Sequence, residues 1–174
     1  MKNILAISAS SREGNSNSAL TVLKESALSK GYRFNDFKIK DKRITPCDGC
    51  LKCDETGSCV FADDMLELSN QLENADLIVF VTPIYFNAVP GIAKSFIDRL
   101  NPFYTSRSLE GKCVGVITFG QTEPEDMEYV VEYLKRMFSG IGVSFWRSAC
   151  ITAKDPNDFI ENPDSILKVR RFFD

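Results

Sequence analysis

The chain has 174 residues, the size of one domain, with 44% apolar and 26% charged residues and a formal net charge of −3. That is enough apolar material for a sizeable core and too much for a disordered chain. The weak acidity argues against nucleic acid as the main partner, because phosphate binding needs a basic face. The sequence contains no histidine, which removes His-based acid–base catalysis, Ser-His-Asp triads and His-ligated metal sites.

Asn3 to Ile7 is a short apolar run of the kind found in a strand buried on both faces. It is too short for a signal peptide, and no apolar run reaches membrane-spanning length, so the expected location is the cytoplasm with no membrane partner. Ser8 to Asn17 is a polar loop, followed by a helix with Leu20, Leu23 and Ala27 on one face and Gly31 past its end. Tyr32 to Ile39 reads as a polar edge strand. A cysteine-rich stretch follows, and then Asp63 or Asp64 caps a helix with Met65, Leu68, Leu72 and Ala75 at helical spacing.

Leu77 to Val81 is the clearest buried strand, and Pro83 to Pro90 is a second loop, with Pro90 in the first turn of the next helix. Ile92, Ala93, Phe96, Ile97 and Leu100 line that helix. Cys113 to Thr118 is the fourth strand, Phe119 to Glu125 a third loop, and Met127, Val130, Leu134, Met137 and Phe138 the face of another helix. Gly142 to Ser148 reads as a polar fifth strand, and Ile166, Val169 and Phe172 as a final short helix.

Strand and helix alternate five times, which predicts a parallel sheet with helices on both faces and right-handed crossovers. Polar second and fifth strands fit the edges of the order 2-1-3-4-5, a three-layer αβα sandwich of flavodoxin-like type. The whole chain, residues 1–174, reads as a single domain, with a cysteine-rich loop over about residues 40–62. In this order ligands bind at the switch point between strands one and three, where the first and second loops meet.

The first loop is rich in hydroxyls and amides: Ser10, Asn15, Ser16, Asn17 and Ser18 surround Arg12 at the start of a helix. Free N–H groups and the positive dipole end at a helix start suit a phosphate. The loop lacks G-x-G-x-x-G and G-x-x-x-x-G-K-[ST], so it suits a single phosphate monoester, as in FMN, better than a dinucleotide or a hydrolysed nucleotide. A solvated loop with a Ser or Asn helix cap is the plainer alternative. In the second loop, Pro83, Ile84, Tyr85, Phe86 and Asn87 offer a flat apolar surface and hydrogen-bonding groups for a ring. Gly120 and Gln121 after the fourth strand are weaker candidates for the same pocket. Aromatics more often belong to a core, so Tyr85 gains weight only from its place at the switch point.

Four of the six cysteines, Cys47, Cys50, Cys53 and Cys59, run C-x2-C-x2-C-x5-C. Short C-x2-C steps let one loop wrap a [4Fe–4S] cube. A structural zinc ribbon instead separates two knuckles by roughly 15–20 residues. A Cys50–Cys53 redox pair and a metal-free loop that shapes a pocket or a subunit contact are the remaining readings. Cys113 and Cys150 read as small core residues.

Taken together, Ser10 to Ser16, Pro46 to Cys53 with Asp63-Asp64-Met65, Thr82 to Phe86, and Lys94-Ser95-Phe96-Ile97-Asp98-Arg99 resemble the NAD(P)H-dependent FMN reductase family, in its iron–sulfur flavoprotein branch. The resemblance covers roughly residues 1–120 and is loose beyond that. It implies a flavodoxin-like fold, bound FMN, NAD(P)H as electron donor, and a homodimer or homotetramer. By position it gives the phosphate to Ser10, Arg12, Asn15, Ser16, Asn17 and Ser18, and the flavin ring to Pro83 through Asn87. It gives a [4Fe–4S] cluster to Cys47, Cys50, Cys53 and Cys59. Lys94, Asp98 and Arg99 take a helix-surface or salt-bridge role. The expected function is an FMN-dependent oxidoreductase passing electrons to a small-molecule acceptor or a redox protein. A non-enzymatic electron carrier and a thiol redox sensor are the alternatives.

Overall fold

A computed structural model describes residues 2–174. Among these, five strands form a parallel sheet: β1 (Asn3–Ser8), β2 (Arg33–Lys38), β3 (Leu77–Pro83), β4 (Cys113–Gly120) and β5 (Ser144–Thr152). Their order is β2-β1-β3-β4-β5, the flavodoxin-like order. β3 is buried at every position, and β1 and β4 at every position but their first. These near-continuous apolar runs are what a strand covered on both faces requires. β2 buries only Phe37, as an edge strand does.

The fifth strand starts and ends later than its sequence pattern indicated. Its first half, around Trp146, is partly exposed, whereas Ala149, Cys150 and Ile151 are buried. An irregularity between Val114 and Gly115 shifts the register, so that β5 runs on to pair Thr152 with Gly120. Gly115 serves a close approach: a Cβ there would meet Phe172 Cε1 at 2.7 Å, so its bareness lets the C-terminal ring lie on the sheet.

Helices cover both faces. α1 (Asn15–Ser29) lies on one side, and α2 (Lys52–Thr56) is a short turn within the cysteine stretch with no buried residue. α3 (Met65–Asn74), α4 (Gly91–Asp98), α5 (Asn101–Ser106) and α6 (Glu128–Gly140) supply Leu68, Phe96, Phe103 and Phe138 to the opposite core. α7 (Asp158–Glu161) and α8 (Pro163–Arg170) return to the α1 side, where Phe159 and Val169 meet Leu23 and Val79 in the second core. Pro90 precedes α4 as its cap residue and does not lie inside its first turn. β1 pairs with both β2 and β3, so the loops after β1 and β3 leave the sheet side by side.

Candidate functional site

At the carboxyl ends of the strands lies a cavity of about 380 Å³, within the size range of small-molecule sites. It is lined by Ser10, Arg12, Gly14, Asn15 and Ser16 from the first loop, and by Pro83, Ile84, Tyr85, Phe86 and Asn87 from the second. Phe119, Gly120, Gln121 and Thr122 line it from the end of β4, Tyr129 from α6, and Ala153 and Lys154 from beyond β5. The lining carries two cations, Arg12 and Lys154, and no carboxylate, in a chain whose net charge is negative.

The first loop is built by its own side chains. Ser10 Oγ donates to Arg12 O at 2.9 Å and accepts from Arg12 N at 3.3 Å, which curls the chain. Asn15 is a brace to the other end of the sequence: its Nδ2 donates to Asp155 O at 2.8 Å, and its Oδ1 accepts from Phe159 N at 3.1 Å. Asn17 and Ser18 do not line the cavity. Asn17 is buried, accepts from Ser8 Oγ at 2.7 Å and donates to Glu13 Oε2 at 2.7 Å, so its side chain fastens the loop to the end of β1. The residue capping α1 is Gly14 (φ 143°, ψ −149°), and no side chain caps the helix, so its first N–H groups are left for another acceptor.

The second loop ends in a tight turn. Tyr85 and Ala88 exchange backbone hydrogen bonds at 2.9 and 3.1 Å, with Phe86 (φ 48°) and Asn87 (φ 60°) left-handed between them. Both central residues at positive φ is the type I′ arrangement, which ordinarily takes Asn-Gly. For an aromatic side chain that conformation costs about 1–2 kcal/mol. It holds Phe86 fully in solvent at the mouth of the cavity (103% exposed), beside Asn87, whose Oδ1 accepts from Tyr129 Oη at 3.4 Å.

Tyr129, Thr122 and Lys154 are lining residues that sequence reading did not single out. Tyr129 lies off the apolar face of α6 and had no periodicity to mark it. Lys154 becomes visible once β5 is extended to Thr152, since it then follows a fourth strand end.

The cysteine arm leaves the body after β2 and returns at α3. All six cysteines among the described residues are free; Cys47 and Cys50 are exposed, and Cys53 and Cys59 are half-buried. Positive φ at Gly49 and Leu51 turns the arm back on itself, and Gly57 closes α2. The four arm thiols line one small pocket with Leu51, Phe61 and Asn101. They ring the pocket without converging on a point: among the described residues, no three His, Cys, Asp or Glu side chains are grouped to hold a single metal ion. Gly49 N–H points at Cys47 Sγ (3.4 Å), and Asn101 Nδ2 donates to Cys53 Sγ (3.1 Å).

The neck of the arm is a buried ion pair. Arg99, at the end of α4, meets Asp63 at 2.8 Å, and their side chains are 1% and 2% exposed. Arg99 Nη1 also donates to Thr45 O at 2.7 Å, and Thr45 N donates to Asp63 Oδ2 at 2.8 Å. Asp64 Oδ2 accepts from Arg43 N at 2.6 Å, so residues 43–45 and 63–64 are clamped together. Asp63 caps the start of α3 by accepting from Met65 N, and Arg99 proves to be a buried salt-bridge residue, while Lys94 and Asp98 pair on the surface of α4. Lys94 has its pKa raised chiefly by Asp98, with smaller contributions from Tyr133 and Cys47.

Burial alone would raise the Asp63 pKa, but hydrogen bonds from Arg99, Thr45 N and Met65 N hold it down at about 2. Because the folded value lies below the unfolded one, the stabilisation is full above about pH 4 and is lost as pH falls towards 2. It amounts to roughly 2 kcal/mol. Urea denaturation between pH 5 and 2 is expected to show this extra acid loss in the native chain and a shallower loss in Asp63→Asn.

The NADPH-dependent FMN reductase family model matches residues 2–155. An iron-sulfur flavoprotein of Archaeoglobus fulgidus is 30% identical over 145 residues, covering 82% of this chain and 64% of its own length. One from Methanocaldococcus jannaschii is 28% identical over 136 residues, covering 78% of this chain and 70% of its own. This chain therefore spans about two thirds of the length of these relatives. Among solved structures, an NAD(P)H:quinone oxidoreductase from Methanothermobacter marburgensis superposes with a TM-score of 0.75 at 16% identity, covering 98% of this chain and 94% of that one. At that identity the likeness is one of fold. No helix among the described residues is long and apolar enough to cross a membrane. The match over residues 2–155, which takes in all five strands, makes this chain a member of the NADPH-dependent FMN reductase family.

Proposed function

We propose that the chain binds FMN in the 380 Å³ cavity and is an FMN-dependent oxidoreductase, taking electrons from NAD(P)H and passing them to a small acceptor. The observation that carries this is the polarity of the cavity. One end joins Ser10, Ser16, Arg12 and the uncapped start of α1, and the other joins Ile84, Tyr85 and Phe86, with no carboxylate in the lining. A phosphate fits the first end and a planar ring the second.

Bound FMN would supply hydride acceptance and onward electron transfer. The chain's own residues bind, orient and shield. Arg12 and the first N–H groups of α1 neutralise the phosphate, while Asn15 and Asn17 hold the loop in the shape that presents them. Pro83, Ile84 and the backbone around Gly120 and Gln121 border the ring. With no histidine in the chain and no carboxylate in the lining, protons reach the site from solvent. Phe86 supplies an apolar cover at the mouth, against an acceptor ring or a second copy in a homodimer or homotetramer.

The cysteine arm is read as the site of a [4Fe–4S] cluster. Two relatives carry the name iron-sulfur flavoprotein, and here the four thiols ring one pocket with N–H donors on two of them. The pocket between the thiols, about 30 Å³, is smaller than a cube.

Anaerobic purification followed by an absorbance spectrum, an iron assay and stopped-flow mixing with NADH or NADPH tests both parts. Direct bleaching of a flavin band supports the reductase. Reduction only by a ferredoxin-like donor would favour an electron carrier. A colourless chain that does not take up FMN would overturn the reading, and a yellow chain without iron after reconstitution would remove the cluster alone.

A further inference from the structure

The last strand delivers a segment to the cavity that the first and second loops do not account for. β5 ends at Thr152, and Ala153 and Lys154 line the cavity directly beyond it. This segment is fastened to the start of α1. Asn15, the first residue of α1, gives its Nδ2 to Asp155 O at 2.8 Å and its Oδ1 to Phe159 N at 3.1 Å, so both polar atoms of its side chain hold the segment. Gly14, which caps α1, lies so near that a Cβ would stand 3.2 Å from Pro156 Cα and O. Lys154 is therefore one residue away from a hydrogen bond to the first turn of α1, and it lines the same cavity as Ser16 of that turn.

The carboxylates beside these residues are engaged or lie outside the cavity. Asp158 accepts from the backbone N–H groups of Lys154 at 2.7 Å and Asp155 at 2.9 Å. Glu13 pairs with Lys40 at 2.7 Å and accepts from Asn17 at 2.7 Å. Asp155 is exposed and outside the lining. Neither Lys154 nor Arg12 forms a salt bridge among the described residues. Two cations thus line one hollow without a counter-charge, one just before α1 and one just beyond β5. A phosphate monoester at neutral pH carries roughly −1.5 to −2 charges, more than a single guanidinium offsets. A lysine, a point charge on a flexible stem, suits the remainder.

We propose that Lys154 supplies the second cation for the FMN phosphate, so that the phosphate site has two halves, the loop after β1 and the segment after β5, and Lys154 selects FMN over riboflavin. This rests on the FMN reading above. Asn15 is a positioning residue in this arrangement, because its two hydrogen bonds keep the segment after β5 against α1. Lys154 is exposed, so water and salt screen its attraction to the phosphate, and its effect on affinity is moderate.

The test measures dissociation constants of FMN and of riboflavin by fluorescence titration, for the native chain freed of flavin, Lys154→Met and Lys154→Arg, at low and high salt. A melting curve accompanies each. The Lys154 bond to Asp158 is made by the backbone, so both variants should melt with the native chain. Lys154→Met is expected to weaken FMN about tenfold at low salt and to leave riboflavin within about twofold, while Lys154→Arg keeps most of the FMN affinity. High salt should shrink the native preference for FMN towards that of Lys154→Met. If Lys154→Met weakens FMN and riboflavin alike, or changes neither, the inference is overturned while the FMN reading stands. Equal affinity of the native chain for the two flavins would overturn it as well. If the native chain binds neither flavin, the FMN reading fails and the inference with it.

Discussion

Replacing Arg99 by methionine is expected to lower the unfolding free energy by about 3–5 kcal/mol, measured by urea denaturation at pH 7. The substitution preserves much of the side-chain bulk but leaves Asp63 charged, buried and deprived of its partner. It also frees Thr45 O, and with it the contact that closes the neck of the cysteine arm. The double variant Arg99→Met with Asp63→Leu should recover a large part of the loss, because a buried pair contributes little beyond what apolar packing supplies once both charges are removed. A loss below about 1 kcal/mol in the single variant would mean that the pair is hydrated and that the arm is held by something else.

Gly14→Ala is expected to lower stability by about 2–3 kcal/mol and to weaken FMN binding by tenfold or more. Two independent contacts with the backbone set this. The φ, ψ pair of 143° and −149° lies in a region that only glycine occupies at low cost. A Cβ would also sit 3.2 Å from Pro156 Cα and O, so the loop after β5 would have to retreat. That retreat draws away Asp155 and Phe159, the partners of Asn15, and displaces Lys154 from the cavity. Flavin fluorescence titration and thermal melts measure the two effects. Ser11→Ala, an exposed position outside the cavity, is the control expected to change neither. If Gly14→Ala bound FMN as tightly as the native chain, the phosphate would have to lie elsewhere.

The sheet order was legible because burial writes itself into strands directly. Leu77 to Val81 is apolar without interruption and Arg33 to Lys38 is not, and these patterns assign centre and edge. β5 was harder, because one strand combines an exposed half around Trp146 with a buried half at Ala149 to Ile151. α2, α5 and α7 were invisible for a simple reason: they bury no residue, Phe103 and Phe159 respectively, so no period exists to detect. Of the first loop, Ser10, Arg12, Asn15 and Ser16 were assigned to the cavity from composition, whereas the fastening role of Asn17 depends on its reach to Ser8 and Glu13. The Asp63–Arg99 pair spans 36 positions, and nothing local in either residue's surroundings announces the other.

The clamp at the neck of the cysteine arm has a consequence for local opening. Residues 46–60 hang from the body by Thr45, Asp63 and Asn101, and their backbone adds no strand to the sheet. Such a segment forms its own low-energy opening unit, while the amides of β3 exchange with solvent only when the whole domain unfolds. Hydrogen exchange should therefore divide the chain in two, with fast arm amides and slow sheet amides. A thiol reagent can then reach the cysteines through that local opening, and the cavity at the strand ends keeps its shape while the arm opens.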